Sequence, residues 1–203
     1  MECREGGFPY RAYDLNMSKV IERPATYEDL LKVPDHLVAE IVDGELFTSP
    51  RPASPHAYAT LTLASTLVSR LQRGQGCSPD WWFLMEPELH LGADVLVPDI
   101  AGWRKANMPR MPKVVWFDIA PDWVCEVVSV KTARLDRIRK LPRYAQHGIP
   151  HAWIVDPVAQ SVEVYRREGE HMLLFSTHEG SGPIKAEPFE PCELDLNDLW
   201  LEE

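Results

Sequence analysis

Apolar residues along the chain recur with two different periods, and the changes of period mark out its elements. The segment Thr26–Val33 (TYEDLLKV) predicts a short helix, with Thr26 as the capping residue, Glu28 and Asp29 in the first turn and Pro34 beyond the end. Leu37 to Val42, then Asp43-Gly44, then Glu45 to Thr48 predicts a hairpin, because a two-residue turn needs positive φ at both central positions. Ser54-Pro55 opens a long helix, with Ser54 as cap and Pro55 in its first position. Ala57, Leu61, Ala64, Val68 and Leu71 recur at helical spacing and predict its buried face, and Gly74 and Gly76 stop it.

From Trp81 to Trp103 the text turns strand-like, punctuated by Pro87, Gly92 and Pro98 into two or three short strands. Residues 105–113 predict a loop. Trp123 to Ser129 (WVCEVVS) is apolar on both faces, as expected of a central strand. Thr132 to His147 predicts a helix ending at Gly148, interrupted or kinked by Pro142. Three strands follow, Ala152 to Val155, Ser161 to Arg166 and His171 to Thr177, and then a helical turn within Leu194 to Trp200. This order predicts an α/β (α+β) fold, a central mixed β-sheet flanked by helices. Its expected organisation is an N-terminal arm over residues 1–25 and a single domain over 26–203.

Composition adds limits. Of 203 residues, 45% are hydrophobic and 26% charged, which is ordinary for a globular chain. No apolar run is long enough for a membrane helix, and the first residues lack the apolar core of a signal peptide. Cys3, Cys77, Cys125 and Cys192 are far apart and form no CxxC pair, which suggests neither zinc nor a disulfide framework and fits a reducing, cytoplasmic setting. The net charge of −10 counts against broad electrostatic binding of nucleic acid, though not against a local basic surface. GxGxxG, Walker-type, GxSxG and HExxH motifs are absent, which weighs against dinucleotide, nucleotide-hydrolase, serine-hydrolase and zinc-protease chemistry.

The candidate chemistry lies in acids set among apolar residues. Glu126 sits inside WVCEVVS, Glu40 inside LVAEIV, and Asp99 follows Pro98. A carboxylate in such surroundings is costly unless it is paired or ligates a metal, and oxygen donors of this kind suit Mg²⁺ or Mn²⁺. A strand acid can also simply point to solvent, and Asp99 can be a strand-end cap. Residues 131 to 143 carry six basic side chains against one acid, Asp136. Such a run is either a solvated helix face or a source of positive charge for phosphoryl chemistry. His56 begins the long helix, where it could face a site or serve as a surface histidine. Trp81, Trp82 and Phe83 read as core, with a dimer face as the less favoured alternative.

Pro98-Asp99 followed by Glu126-Val127-Val128 resembles the PD-(D/E)XK nuclease signature. The ordered set AEIVDGEL (39–46), Ser54-Pro55-His56, VPDIAGW (97–103), DWVCEVVS (122–129), KLPRYAQHGIPHAWIVDP (140–157) and VEVYRREG (162–169) is similar to the Uma-type restriction endonuclease family, from about Thr26 to Trp200. The resemblance implies a restriction-endonuclease-like core and a metal-dependent DNA endonuclease, with DNA as partner and dimers as the assembly. Asp99 and Glu126 would be the metal ligands and Glu40 a further acid of the site. Val128 stands where the superfamily pattern has its lysine. The resemblance points to Lys140, on the following helix, as its replacement, and Lys131 is nearer in sequence. Two other readings stay open: a weak or inactive nuclease-fold binding or assembly module, and a phosphoesterase for small phosphates. A positive groove leading to Asp99 and Glu126 would favour a polymeric substrate.

Overall fold

Asp43 and Gly44 both adopt positive φ, 54° and 76°, and turn β1 (Leu37–Val42) back on β2 (Glu45–Pro50). A computed structural model of the protein describes residues 23–201, so most of the expected N-terminal arm lies outside the described residues. At its edge, Ala25 N–H donates to the Gly44 carbonyl at 2.7 Å, tying the chain to this turn. Ahead of β1, α1 (Tyr27–Leu30) begins where Asp29 Oδ2 accepts from both the backbone N–H and the hydroxyl of Thr26. Its acid therefore sits at the positive end of the helix.

The strand-like stretch becomes four strands shared between two sheets. β3 (Trp81–Met85) and β6 (Ile100–Arg104) join the large sheet, whereas β4 (Leu89–Leu91) and β5 (Asp94–Leu96) join the hairpin. The smaller sheet has the order β2-β1-β5-β4 and is antiparallel. With β7 (Trp123–Val127), β8 (His151–Asp156), β9 (Ser161–Glu168) and β10 (His171–Glu179), the large sheet has the order β10-β9-β8-β7-β6-β3. Only β7 and β8 run parallel, so the sheet is mixed, and β7 is an interior strand.

Alternation along β7 sends its residues into two cores. Trp123, Cys125 and Val127 pack with Leu63, Leu67 and Leu71 of the long helix and with Phe189 and Trp200 of the C-terminal segment. Val124 and Val128 pack on the opposite face with Leu141, Tyr144 and residues of the smaller sheet. Glu126 belongs to that second face. Both faces being covered, an acid there is buried, and the solvent-facing alternative is closed to it.

The long helix, α2 (Ser54–Leu67) with a wide turn through Gln72, differs from expectation in two ways. Ala53 holds the capping position and Ser54 is the first helical residue. The buried face runs through Ala59, Thr60, Leu63, Ala64 and Leu67, while Ala57 and Leu61 are exposed. Leucines at 61, 63 and 67 allow more than one apolar stripe at helical spacing, and the sheet selects among them. The basic helix is built of α3 (Ala133–Leu135), a wide turn over Asp136–Lys140, and α4 (Leu141–Gln146). Leu141 N–H donates to the Asp136 carbonyl, and Pro142, which has no N–H, enters in the first turn of α4.

Cys77 and Cys192 form a disulfide with Cα atoms 5.8 Å apart, which corrects the reading of the cysteines as unpaired. A separation of 115 residues left no spacing to read, and the pairing removes cysteine spacing as an argument for a reducing compartment. Cys125 is free and buried, and Cys3 lies outside the described residues. No helix among the described residues is long and apolar enough to cross a membrane. Trp81 and Phe83 are core residues, while Trp82 donates its indole N–H to the Met108 carbonyl at 3.1 Å on the other face.

Candidate functional site

The link between β5 and β6, Val97-Pro98-Asp99, passes from the smaller sheet to the larger one, and the candidate residues converge on it. Glu40 projects from β1 on the face it shares with Val42, and its Oε1 accepts from Val97 N–H at 2.7 Å. Lys140 Nζ donates to the Val97 carbonyl at 3.2 Å. The same ammonium lies 2.8 Å from Glu40 Oε1 and 2.8 Å from Glu126 Oε1. Asp99 Oδ2 accepts from Val127 N–H at 2.7 Å, which locks it to the end of β7 beside Glu126. The structure thus brings Glu40, Asp99, Glu126 and Lys140 together. Lys131, the nearer lysine in sequence, is exposed on the cavity wall.

Three further residues join them. His56 Nε2 lies 3.2 Å from Asp99 Oδ1, so this histidine faces the site. Tyr144, fully buried, donates its hydroxyl to Glu126 Oε1. Asp136 is buried with a carboxylate oxygen 4.0 Å from Lys140 Nζ. Sequence reasoning counted Asp136 only as the acid in a basic run. Its spacing of four from Lys140 was the available signal, since i and i+4 share a helix face. The wide turn turns these two inward and leaves Ile138 and Arg139 exposed.

With that geometry in place, the family comparison decides the relationship: the Uma2 family model, described as "Putative restriction endonuclease", matches residues 24–198. The chain belongs to the Uma2 family. A crystal structure of a "putative nuclease belonging to DUF820" from Anabaena variabilis ATCC 29413 is similar in fold, with a TM-score of 0.69 at 24% identity over 87% of this chain and 97% of that one. No curated protein matches the sequence.

Electrostatics in this Uma2 site are governed by excess acid. Four carboxylates, Glu40, Asp99, Glu126 and Asp136, surround one ammonium and one imidazole. Burial pushes the Glu126 carboxyl well above its usual range against the pull of Lys140, with Asp136, Asp99 and Glu40 adding repulsion. Burial also raises Asp136, to about 6. For Lys140 burial acts the other way, but Glu126 and Glu40 outweigh it and hold the ammonium well above its ordinary value. Burial likewise opposes the His56 imidazolium, and Asp99 outweighs it, so its pKa is raised.

The donor set fits a hard divalent cation. Both described contacts of Glu126 meet Oε1, from Lys140 and Tyr144, while the residue also lines the cavity. Among the described residues no three His, Cys, Asp or Glu side chains already converge as a ready-made ligand group. An ion here would rest on Asp99 and Glu126 and keep several waters, as Mg²⁺ does in two-carboxylate sites.

The site forms the floor of a cavity of about 1010 Å³. Exposed Arg51, Lys131, Arg134 and Arg139 line it, with Glu86 as an exposed acid. A chain of net charge −10 therefore presents a local basic surface around its buried acids.

Proposed function

We propose that this chain is a metal-dependent DNA endonuclease. The observation that carries this reading is Lys140: a buried ammonium 2.8 Å from two carboxylates, beside Asp99, at the floor of a cavity lined by exposed cations. The family description and the nuclease named for the structural neighbour support it.

In this reading Asp99 and Glu126 hold Mg²⁺ or Mn²⁺. Such an ion, when bound, lowers the pKa of a water and offsets phosphate charge. The residues of the chain do the rest. Arg51, Lys131, Arg134 and Arg139 attract the phosphodiester backbone. Lys140 places positive charge where a phosphoryl oxygen becomes more negative during attack, and Glu40 and the Val97 carbonyl hold its Nζ in place. His56 orients Asp99 through the contact with Oδ1. Water adds to phosphorus and gives up a proton to solvent, one P–O ester bond breaks, and the leaving oxygen takes up a proton from solvent.

The test is nicking of supercoiled plasmid and cutting of single-stranded DNA with Mg²⁺ or Mn²⁺, against EDTA and an Asp99→Ala/Glu126→Ala protein. Metal-dependent cleavage absent from the double variant is the expected result. A folded, metal-binding wild type that cuts neither DNA would sink the proposal and leave a nuclease-fold binding module or a small-phosphate esterase.

A further inference from the structure

The cavity mouth carries a second chemical signature besides charge. Val130 is 94% exposed, Val158 78% and Ile138 63%, and all three line the cavity. Two of them adjoin cations that line it too: Val130 precedes Lys131, and Ile138 precedes Arg139. Deeper in, half-buried Phe47 lies directly across from Glu40 in the β1–β2 register, so the two side chains share a face.

Solvent-exposed aliphatic side chains gathered at the mouth of a site mark a contact surface. The occupant must suit both halves of the pattern. An intact duplex offers this surface phosphates, while its base faces are stacked away. Placing valine and isoleucine against phosphate would remove water from the anion with no compensating contact. An unpaired strand offers both partners at once, phosphates for the cations and open base faces for the apolar side chains and Phe47. Wedging the aliphatics into a duplex would require unstacking, which is least costly where the bases are already unpaired.

Building on the endonuclease reading, we infer that this site takes an unpaired DNA strand in preference to intact duplex, with Val130, Ile138 and Val158 as the base-contacting collar. The collar, the cations and the acidic floor line one cavity, so a strand that the collar engages lies over Asp99 and Glu126.

The experiment is fluorescence anisotropy of the full chain with one labelled oligonucleotide, offered as a single strand and as its duplex, in EDTA so that binding is read without cleavage. The single strand should bind about tenfold more tightly, the effect of burying about one of these aliphatic side chains. Val130→Ser/Ile138→Ser/Val158→Ser should abolish that preference by weakening single-strand binding alone, whereas Arg134→Ala should weaken both forms. All three collar positions are exposed, so folding is spared, and circular dichroism checks it. Equal affinities, a preference for duplex, or a preference that survives the triple substitution would overturn the inference. The same holds if the triple variant changes only self-association, seen by light scattering, because the collar would then be a face for a second copy. Failure of the endonuclease reading looks different: single strand bound through the collar, yet no DNA cut with Mg²⁺ or Mn²⁺.

Discussion

Glu126 and Asp94 are both buried acids gripped by cations from the same helical segment, yet one sits in a site and the other in a lock. Asp94 Oδ2 accepts from Arg143 Nε and His147 Nε2, each at 2.6 Å, and Oδ1 accepts from Asp43 N–H at 2.8 Å. Burial opposes its charge, but His147, Arg143 and the Asp43 amide outweigh burial and hold its pKa below the usual range. Glu126 has one ammonium to share with Glu40 and Asp136, and its pKa is driven up. Two basic side chains and a backbone amide meet the single carboxylate of Asp94, whereas around Glu126 acids outnumber bases. A balanced buried cluster ties elements together: here β5, the hairpin turn and α4. An acid-rich one that opens on a cavity is left with capacity to bind a cation from outside.

The sharpest way to break this contrast is Asp94→Ala, which removes the buried carboxylate that Arg143 and His147 share. It should cost about 3–5 kcal/mol of stability in urea unfolding, while folded protein retains its cleavage rate. The pH dependence follows from the depressed pKa. The stabilisation that comes from ionised Asp94 is fully present above its unfolded value near 3.8 and is lost as pH falls through the lower folded value, so the gap between wild type and variant should begin to narrow below about pH 4. If Asp94→Ala abolished cleavage without loss of stability, the lock would belong to the site.

Lys140→Gln attacks the other side. Removing an electrostatic stabiliser of this kind should lower the metal-dependent cleavage rate by about 10²–10³-fold at saturating DNA, with DNA affinity little changed. A rate within threefold of wild type would remove Lys140 from the chemistry and leave its ion pairs as packing alone.

The smallest expected effect has the opposite sign. Asp136 has a folded pKa of about 6 against an ordinary 3.8, so ionising it costs stability as pH rises from about 4 to 6. Asp136→Asn should therefore stabilise the metal-free protein by about 2–3 kcal/mol above pH 6 and leave it unchanged below pH 4, read by thermal unfolding across pH. A destabilised variant at pH 7 would show that the carboxylate is a net partner of Lys140, and that excess acid does not characterise this region.

Much of the architecture was legible locally. Asp43-Gly44 announced its turn, WVCEVVS its two-sided burial, and Pro142 its interrupted helix, because each is a constraint on backbone conformation or on alternation that neighbours in sequence impose. The acids at 40, 99 and 126 stood out because a carboxylate among β-branched residues has few inexpensive environments. The face of α2 was misread at Ala57 and Leu61 because several apolar stripes compete on that helix. Asp136 was overlooked because it lies in a run of alternating basic and apolar residues read as a charged helix, so nothing in the local text marked it as buried.

By itself, then, the sequence determined the hairpin, the central strand, the three strands that follow the basic helix and the short list of acids, since these follow from short-range sterics and the cost of placing charge among apolar side chains. It did not determine that the stretch from Trp81 to Trp103 divides into four strands shared by two sheets. Only the tertiary structure decided which cation meets which acid. Lys140 reaches Glu40 and Glu126 across 100 and 14 positions because a wide helical turn aims it at the gap between two sheets. Arg143, three residues on, closes on Asp94 instead, and Cys77 finds Cys192. Such pairings depend on how helices and sheets pack in three dimensions, which no local pattern along the chain encodes.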